Sequence, residues 1–237
     1  MNRHIPVVVG LLLGFSFLSP PLASAGPCLP DSLQGYVNLA TPCSLGGADF
    51  GDFELLPGQN GATPIDPALI QVTPLVGLLV GFQFTVNQDA GADDLFESIF
   101  SYTAGVGTFS TAQLAMAGAT ATGDGAVTVV EDVCVGSVFG PGISGCPAGA
   151  QRTNIVFAID GDSDNSESAG FPPNTFLNVV NDLTVDGGLA GTASVANFTN
   201  LFAVTPAQTV VPEPATGLLL AAGLGAVWRR TRRSSRG

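Results

Sequence analysis

The chain has 237 residues, 46% of them hydrophobic and 11% charged, with a formal net charge of -12. That length holds one domain of ordinary size plus processing segments at its ends. The acidic balance excludes nucleic acid and anionic lipid surfaces as expected partners, because like charges repel, and leaves soluble cations as the natural counter-ions.

In chain order, residues 1–25 come first: "MNRHIPVVVGLLLGFSFLSPPLASA". Arg3, the apolar stretch Ile5 to Leu18 and the small residues Ala23-Ser24-Ala25 read as a secretory signal peptide to be cleaved by signal peptidase. Pro27 precedes Cys28 where a lipoprotein signal needs a small residue, so a lipid anchor is not expected. The exported segment 26–211 carries eighteen acidic side chains against Arg152 alone, a formal charge of -17, yet it is rich in Val, Leu, Ile and Phe and has the material for a core. Its four cysteines group locally. Cys28–Cys43 and Cys134–Cys146 are the expected disulfides, since the spacings of fifteen and twelve residues lack the close pairs of a zinc site and the chain's one histidine, His4, lies in the signal peptide.

Residues 26–68 are punctuated by Pro and Gly and show few periodic runs. From 69 the pattern changes. Residues 69–88 alternate at Phe82, Phe84 and Val86, and further strands are expected at 99–103, 106–110, 126–130, 133–139, 153–159, 176–180, 183–186, 192–198 and 201–205. Residues 110–125 are rich in small side chains and fit a turn or two of helix or an extended ribbon equally well. Short strands separated by Gly, Asn, Asp and Pro predict an all-β domain over 26–205, an antiparallel two-layer β-sandwich, followed by a linker at 206–211.

Several groups in this domain invite a chemical reading. The loop "AIDGDSDNSESAG" sets Asp160, Asp162, Asp164 and Glu167 near one another, a weak candidate for calcium, which takes hard oxygen ligands. It departs from a helix-hand loop at Asn165, where glycine is required, and at Phe171, where a bidentate Glu is required, so a solvated acidic turn is the competing reading. Asp93, Asp94 and Glu97, with Glu131 and Asp132, supply carboxylates for an acid and base pair of the kind that hydrolyses glycans. Adjacent surface acids are common on exported proteins, so enzymatic activity is not the expectation. Histidine-based triads are excluded, and the glycines form no phosphate-binding motif or cofactor fingerprint, so no cofactor other than possible calcium is expected. A carbohydrate-binding face needs exposed aromatics. Phe50, Phe53 and Phe171 are the rings least obviously destined for the core, and Asn197-Phe198-Thr199 satisfies a glycosylation sequon.

The chain closes on "VVPEPATGLLLAAGLGAVWRRTRRSSRG". Pro212 and Pro214 hold Glu213 extended, Ala215 to Trp228 form an apolar run shorter than the roughly twenty residues that cross a bilayer, and Arg229, Arg230, Arg232 and Arg233 follow as a cytoplasmic retention signal. This order, with Leu218-Leu219-Leu220 and Gly223-Leu224-Gly225 between the two ends, resembles the C-terminal sorting signal of the bacterial PEP-CTERM family over residues 210–233. The resemblance implies sorting. Pro212, Glu213 and Pro214 would be recognised by an exosortase in the membrane, Leu218 to Trp228 would be a transient transmembrane helix, and the cargo would reach the envelope, biofilm or matrix of an exopolysaccharide-producing Gram-negative bacterium. The expected role is structural or adhesive, with exopolysaccharide or matrix components as partners. A secreted carbohydrate-binding module or glycan hydrolase is the alternative.

Overall fold

The computed structural model describes residues 25–58 and 61–206. Its elements in chain order begin with β1 (Gly26–Pro27), β2 (Asp31–Ser32), the short helix α1 (Leu33–Val37), β3 (Cys43–Leu45), β4 (Ala48–Leu56) and β5 (Thr63–Pro64). The hairpin β6 (Gln71–Val76) and β7 (Val80–Ala90) follows, then β8 (Leu95–Ala117), β9 (Thr120–Thr122) and β10 (Ala126–Val135). The domain ends with β11 (Ala150–Ile159), β12 (Asp162–Asp164), β13 (Ser166–Asp186) and β14 (Thr192–Thr205). The fold is all-β with antiparallel pairing throughout, apart from the two-residue parallel contacts of β1 with β3 and of β5 with β8. Among the described residues no helix is long and apolar enough to cross a membrane.

The strands differ from the expected set in length. Segments 99–103 and 106–110 are parts of one strand, β8, as are 176–180 and 183–186 in β13 and 192–198 and 201–205 in β14. Residues 110–125 resolve as ribbon: the end of β8, a bend at Gly118, and β9. The turn-rich start also contributes β1 to β5 and α1, whose N-terminus is capped by Ser32 Oγ accepting from the Gly35 amide at 3.1 Å.

The length of β8 and β13 decides the architecture. Residues 95–105 of β8 pair with β4 and with residues 176–186 of β13, whereas residues 109–117 pair with β14 and 166–174 of β13. Both strands therefore run through two layers, and the hydrogen-bonded path is continuous rather than split into two separate sheets. The corner in β8 falls at Gly105-Val106-Gly107, where Val106 takes a φ of 70°, a left-handed value that costs a β-branched residue energy. In β13 the register shifts between Gly170 and Phe176, the stretch containing Pro172 and Pro173.

Folded over in this way, the sheet encloses an aromatic core. Phe82 of β7 meets Phe50 of β4 at 4.9 Å between ring centroids, Phe84 meets Phe100 of β8 at 4.9 Å, and Phe53 stacks on Tyr102 at 5.1 Å. Phe50, Phe53 and Phe171 are thus buried and do not form a surface. Their period in strands that read as turns concealed this from the sequence. Close packing also fixes Gly81, where a Cβ would stand 1.9 Å from the Asn200 carbonyl oxygen on the neighbouring β14. Asn197, the sequon residue, lies half-buried in mid-strand and accepts from Gln83 Nε2 at 3.1 Å.

Candidate functional site

The cysteines pair as Cys28–Cys43 and Cys134–Cys146. The second bridge closes the connection after β10 into a loop that folds over the outer surface of β10, β13 and β8. The loop is fastened there by Asn178 of β13, whose Oδ1 accepts from the Phe139 amide at 3.0 Å while its Nδ2 donates to the Tyr102 carbonyl at 3.1 Å. Gly142 and Ile143 at its tip take φ values of 64° and 61° and roof a cavity of about 220 Å³. The floor of the cavity is Ile99, Val130 and Val180, and its polar groups are the carboxylates of Asp132 and Asp182.

Register explains this grouping. Val130 stands opposite Asp182 and Asp132 opposite Val180 on paired strands, so the two aspartates are diagonal neighbours on one face. Asp132 Oδ1 accepts from Gln151 Nε2 at 3.0 Å and from the Thr153 hydroxyl. Asp182 Oδ1 is buried with no hydrogen-bond partner. Its carboxyl is pushed up to about 6, first by burial and then by the charge of Glu97, a buried acid on the adjoining strand.

Glu131, one residue from Asp132, points the opposite way. Successive side chains on a strand alternate faces, so these two acids cannot act on one substrate together. Glu131 is fully buried between the layers, opposite Asn154 on one neighbouring strand and Asn181 on the other. Its Oε2 accepts from Asn154 Nδ2 at 2.8 Å and its Oε1 from Asn200 Nδ2 of β14, and Asn200 Nδ2 also donates to Asn181 Oδ1 at 2.7 Å. Burial is the main force raising the Glu131 carboxyl to about 7, against the lowering effect of its two amide donors. The sequence marks this cluster only by phase. Asn181 interrupts Leu177, Val179, Leu183 and Val185, and Asn200 interrupts Phe198 and Phe202, each a polar residue in the inward register.

The other predicted acids are dispersed. Asp93 and Asp94 sit exposed in the turn before β8, where Asp94 Oδ2 accepts from the Gly91 amide at 3.1 Å. Asp160 lies at the hairpin tip between β11 and β12, Asp162 and Asp164 lie on β12, and the Glu167 carboxylate accepts from the Ile155 amide. Among the described residues no three acidic, cysteine or histidine side chains converge as metal ligands do. In the strand leading to this hairpin Asn154, Val156 and Ala158 are buried and Ile155 and Ile159 are exposed. Among the described residues every aromatic ring is buried or half-buried.

Pro212, Glu213, Pro214, Arg229, Arg230, Arg232 and Arg233 lie outside the described residues. Their assignment rests on sequence: residues 210–233 match the family model described as the PEP-CTERM protein-sorting motif. The chain therefore carries an exosortase sorting signal and is an exported protein addressed to the cell envelope or beyond. No curated protein matches the chain. Two solved structures are similar over 63% of it. One is TmCBM61 in complex with β-1,4-galactotriose, at 10% identity and a TM-score of 0.29 with 87% of that chain covered. The other is the enzymatically active domain of bacteriophage CBA120 tailspike protein 4, at 13% identity and a TM-score of 0.24 with 19% of that chain covered. At these scores the likeness does not extend to ligand or activity.

Proposed function

We propose that the chain is a structural or adhesive component of a bacterial envelope or extracellular matrix, delivered by its C-terminal tail and without catalytic activity of its own. The observation that carries this reading is the sorting motif at residues 210–233 on an acidic cargo. Two further features support it. The described domain spends its aromatic side chains on internal packing, as a durable scaffold does, and both disulfides suit an oxidising compartment outside the cytoplasm. The exported segment carries eighteen acids and one arginine, and apart from Glu97 and Glu131 these acids are exposed or half-buried, so the surface stays hydrated and is bridged to other polyanions by divalent cations in the medium.

The test is the intact mass and location of the protein in an exosortase-bearing host, wild type against Glu213→Ala. The expected result is loss of the residues beyond about position 214 from the wild type, with the variant kept full-length in the membrane fraction. Full-length, membrane-bound protein in both cases would remove the delivery step from the reading.

A further inference from the structure

We propose that the end of the domain from which the tail departs is a membrane-resting surface: while the sorting tail is in the bilayer, the tip of the β6–β7 hairpin and the corners of β8 and β13 sit in the phospholipid headgroup layer. The inference rests on the delivery reading above and adds an orientation to it. It starts from register. Phe202 of β14 stands opposite Val80 of β7 and the two strands are antiparallel, so the last residues of β14 run beside the β6–β7 turn at 77–79. On the other side of β14, Thr205 stands opposite Thr108, one residue past the β8 corner at 105–107. Asn174 of β13 pairs with Phe109 and Phe176 with Gly105, so Pro172 and Pro173 bend that strand at the same level. The β3–β4 turn closes the group, since a Cβ on Gly47 would stand 2.7 Å from the Cβ of Pro206. Neighbouring strands thus turn, bend or end together where the chain leaves the domain.

What this end exposes is apolar and uncharged. Leu78 is fully exposed, Val76 is 71% and Val106 58% exposed, and Pro172 and Pro173 are exposed at the same level. Single exposed aliphatic side chains are ordinary, whereas several gathered at one end of a domain mark a contact surface. Residues 67–88, 98–123 and 187–206, which cover β6, β14 and most of β7 and β8, hold no acidic or basic side chain, in an exported segment with eighteen acids. Two acids approach this end, Asp49 and Asp52 of β4, and they accept from the hydroxyls of Ser44 and Thr103. Arg152, the one basic side chain of the exported segment, donates to the Gly170 carbonyl at 3.3 Å, where the β13 corner begins. The charge that keeps the rest of the domain off an anionic lipid surface is therefore missing here.

The tether decides what meets this end. Residues 207–214 separate Pro206 from the apolar run that begins at Ala215, and a stretch of that length spans roughly 30 Å at most. The 14 residues of β14 are themselves about 45 Å long. With the apolar run in the bilayer, the departing end is held next to the headgroups and the turn at 187–191, at the other end of β14, points away. Aliphatic side chains brought that close gain by leaving water for the lipid interface.

The experiment uses the protein with its tail intact, reconstituted in phosphatidylcholine vesicles whose acyl chains carry bromine, which quenches indole fluorescence on contact. Trp228, the single tryptophan, reports the tail in the wild type. In a Trp228→Phe background, Leu78→Trp reports this end, and Leu189→Trp, at a site 81% exposed in the turn before β14, reports the other. The expected results are quenching of wild-type Trp228, quenching and a blue shift for Leu78→Trp, and neither for Leu189→Trp. Adding Val76→Asp and Val106→Asp should abolish the response of Leu78→Trp. An unquenched Leu78→Trp beside a quenched wild-type Trp228 would overturn the surface and leave the delivery reading standing. Equal quenching at positions 78 and 189 would overturn it as well. So would a response that survives the two aspartates, since the new ring would then be seeking lipid by itself. Contact seen only in exosortase-bearing membranes would overturn it in favour of a protein partner. An unquenched wild-type Trp228 would sink both readings, with the fault in the tail.

Discussion

Glu131 and Asp132 are neighbours in sequence and opposites in circumstance. The first is sealed between the layers, bonded to asparagines of both. The second faces outward under a disulfide-closed loop, sharing a small cavity with Asp182 and bonded to Gln151 and Thr153. One step along a strand separates an acid whose ionisation burial opposes from an acid on the outer face that accepts from Gln151 and Thr153. The two faces of a single ladder are thus different media, and an acid's behaviour depends on its face more than on its neighbours in the chain.

The contrast is sharpened by substitutions on each face. The largest effect belongs to the inner face. Phe82→Ala removes a ring that packs against Phe50, Phe53, Tyr36 and Tyr102, and a loss of about 3–5 kcal/mol is expected by chemical denaturation. A loss under about 1 kcal/mol would mean the layers do not share a packed core.

The roof of the outer cavity comes next. Replacing Cys134 and Cys146 together by serine opens a loop with a sequence separation of 12, and roughly 3 kcal/mol should be lost under oxidising conditions. Proteolysis should then begin within residues 136–149 and leave the strands intact. Cleavage starting in β10 or β13 would show that the bridge supports the sheet itself.

The smallest effect is a gain. The Asp182 carboxyl is raised by burial from 3.8 to about 6, so the folded state holds its proton more tightly than the unfolded chain does. The stability that goes with that proton is complete below about pH 4 and lost as pH rises through about 6. Asp182→Asn, which never ionises, should therefore be more stable than wild type at neutral pH, by about 1 kcal/mol or less because the group is partly solvated. The two proteins should converge in acid. A variant less stable than wild type at neutral pH would show that the ionised Asp182 makes a favourable contact across the cavity.

Much of this was legible in the sequence, and the residues show why. Local patterns survive in one dimension: the alternation at Phe82, Phe84 and Val86, the close spacing of each cysteine pair, and the ordered Pro-Glu-Pro, apolar and basic blocks of the tail. Strand lengths were obscured by Gly105, Gly107, Pro172 and Pro173, which look like terminators and act as corners within β8 and β13. The burial of Phe50 and Phe53 was hidden in a stretch crowded with turn residues. Asp182 went unnoticed because no acid adjoins it in the chain.

By itself the sequence determined the class of fold, the two disulfides and the destination of the protein, because strand alternation, short loop closure and a sorting signal are all set by residues close together along the chain. Only the tertiary structure decided that the two long strands join both layers in one continuous sheet. It also decided that Glu131 meets Asn154, Asn181 and Asn200, residues 19 to 69 positions apart along the chain. Such a meeting depends on register and on which layer lies opposite, and those follow from the packing of the whole core.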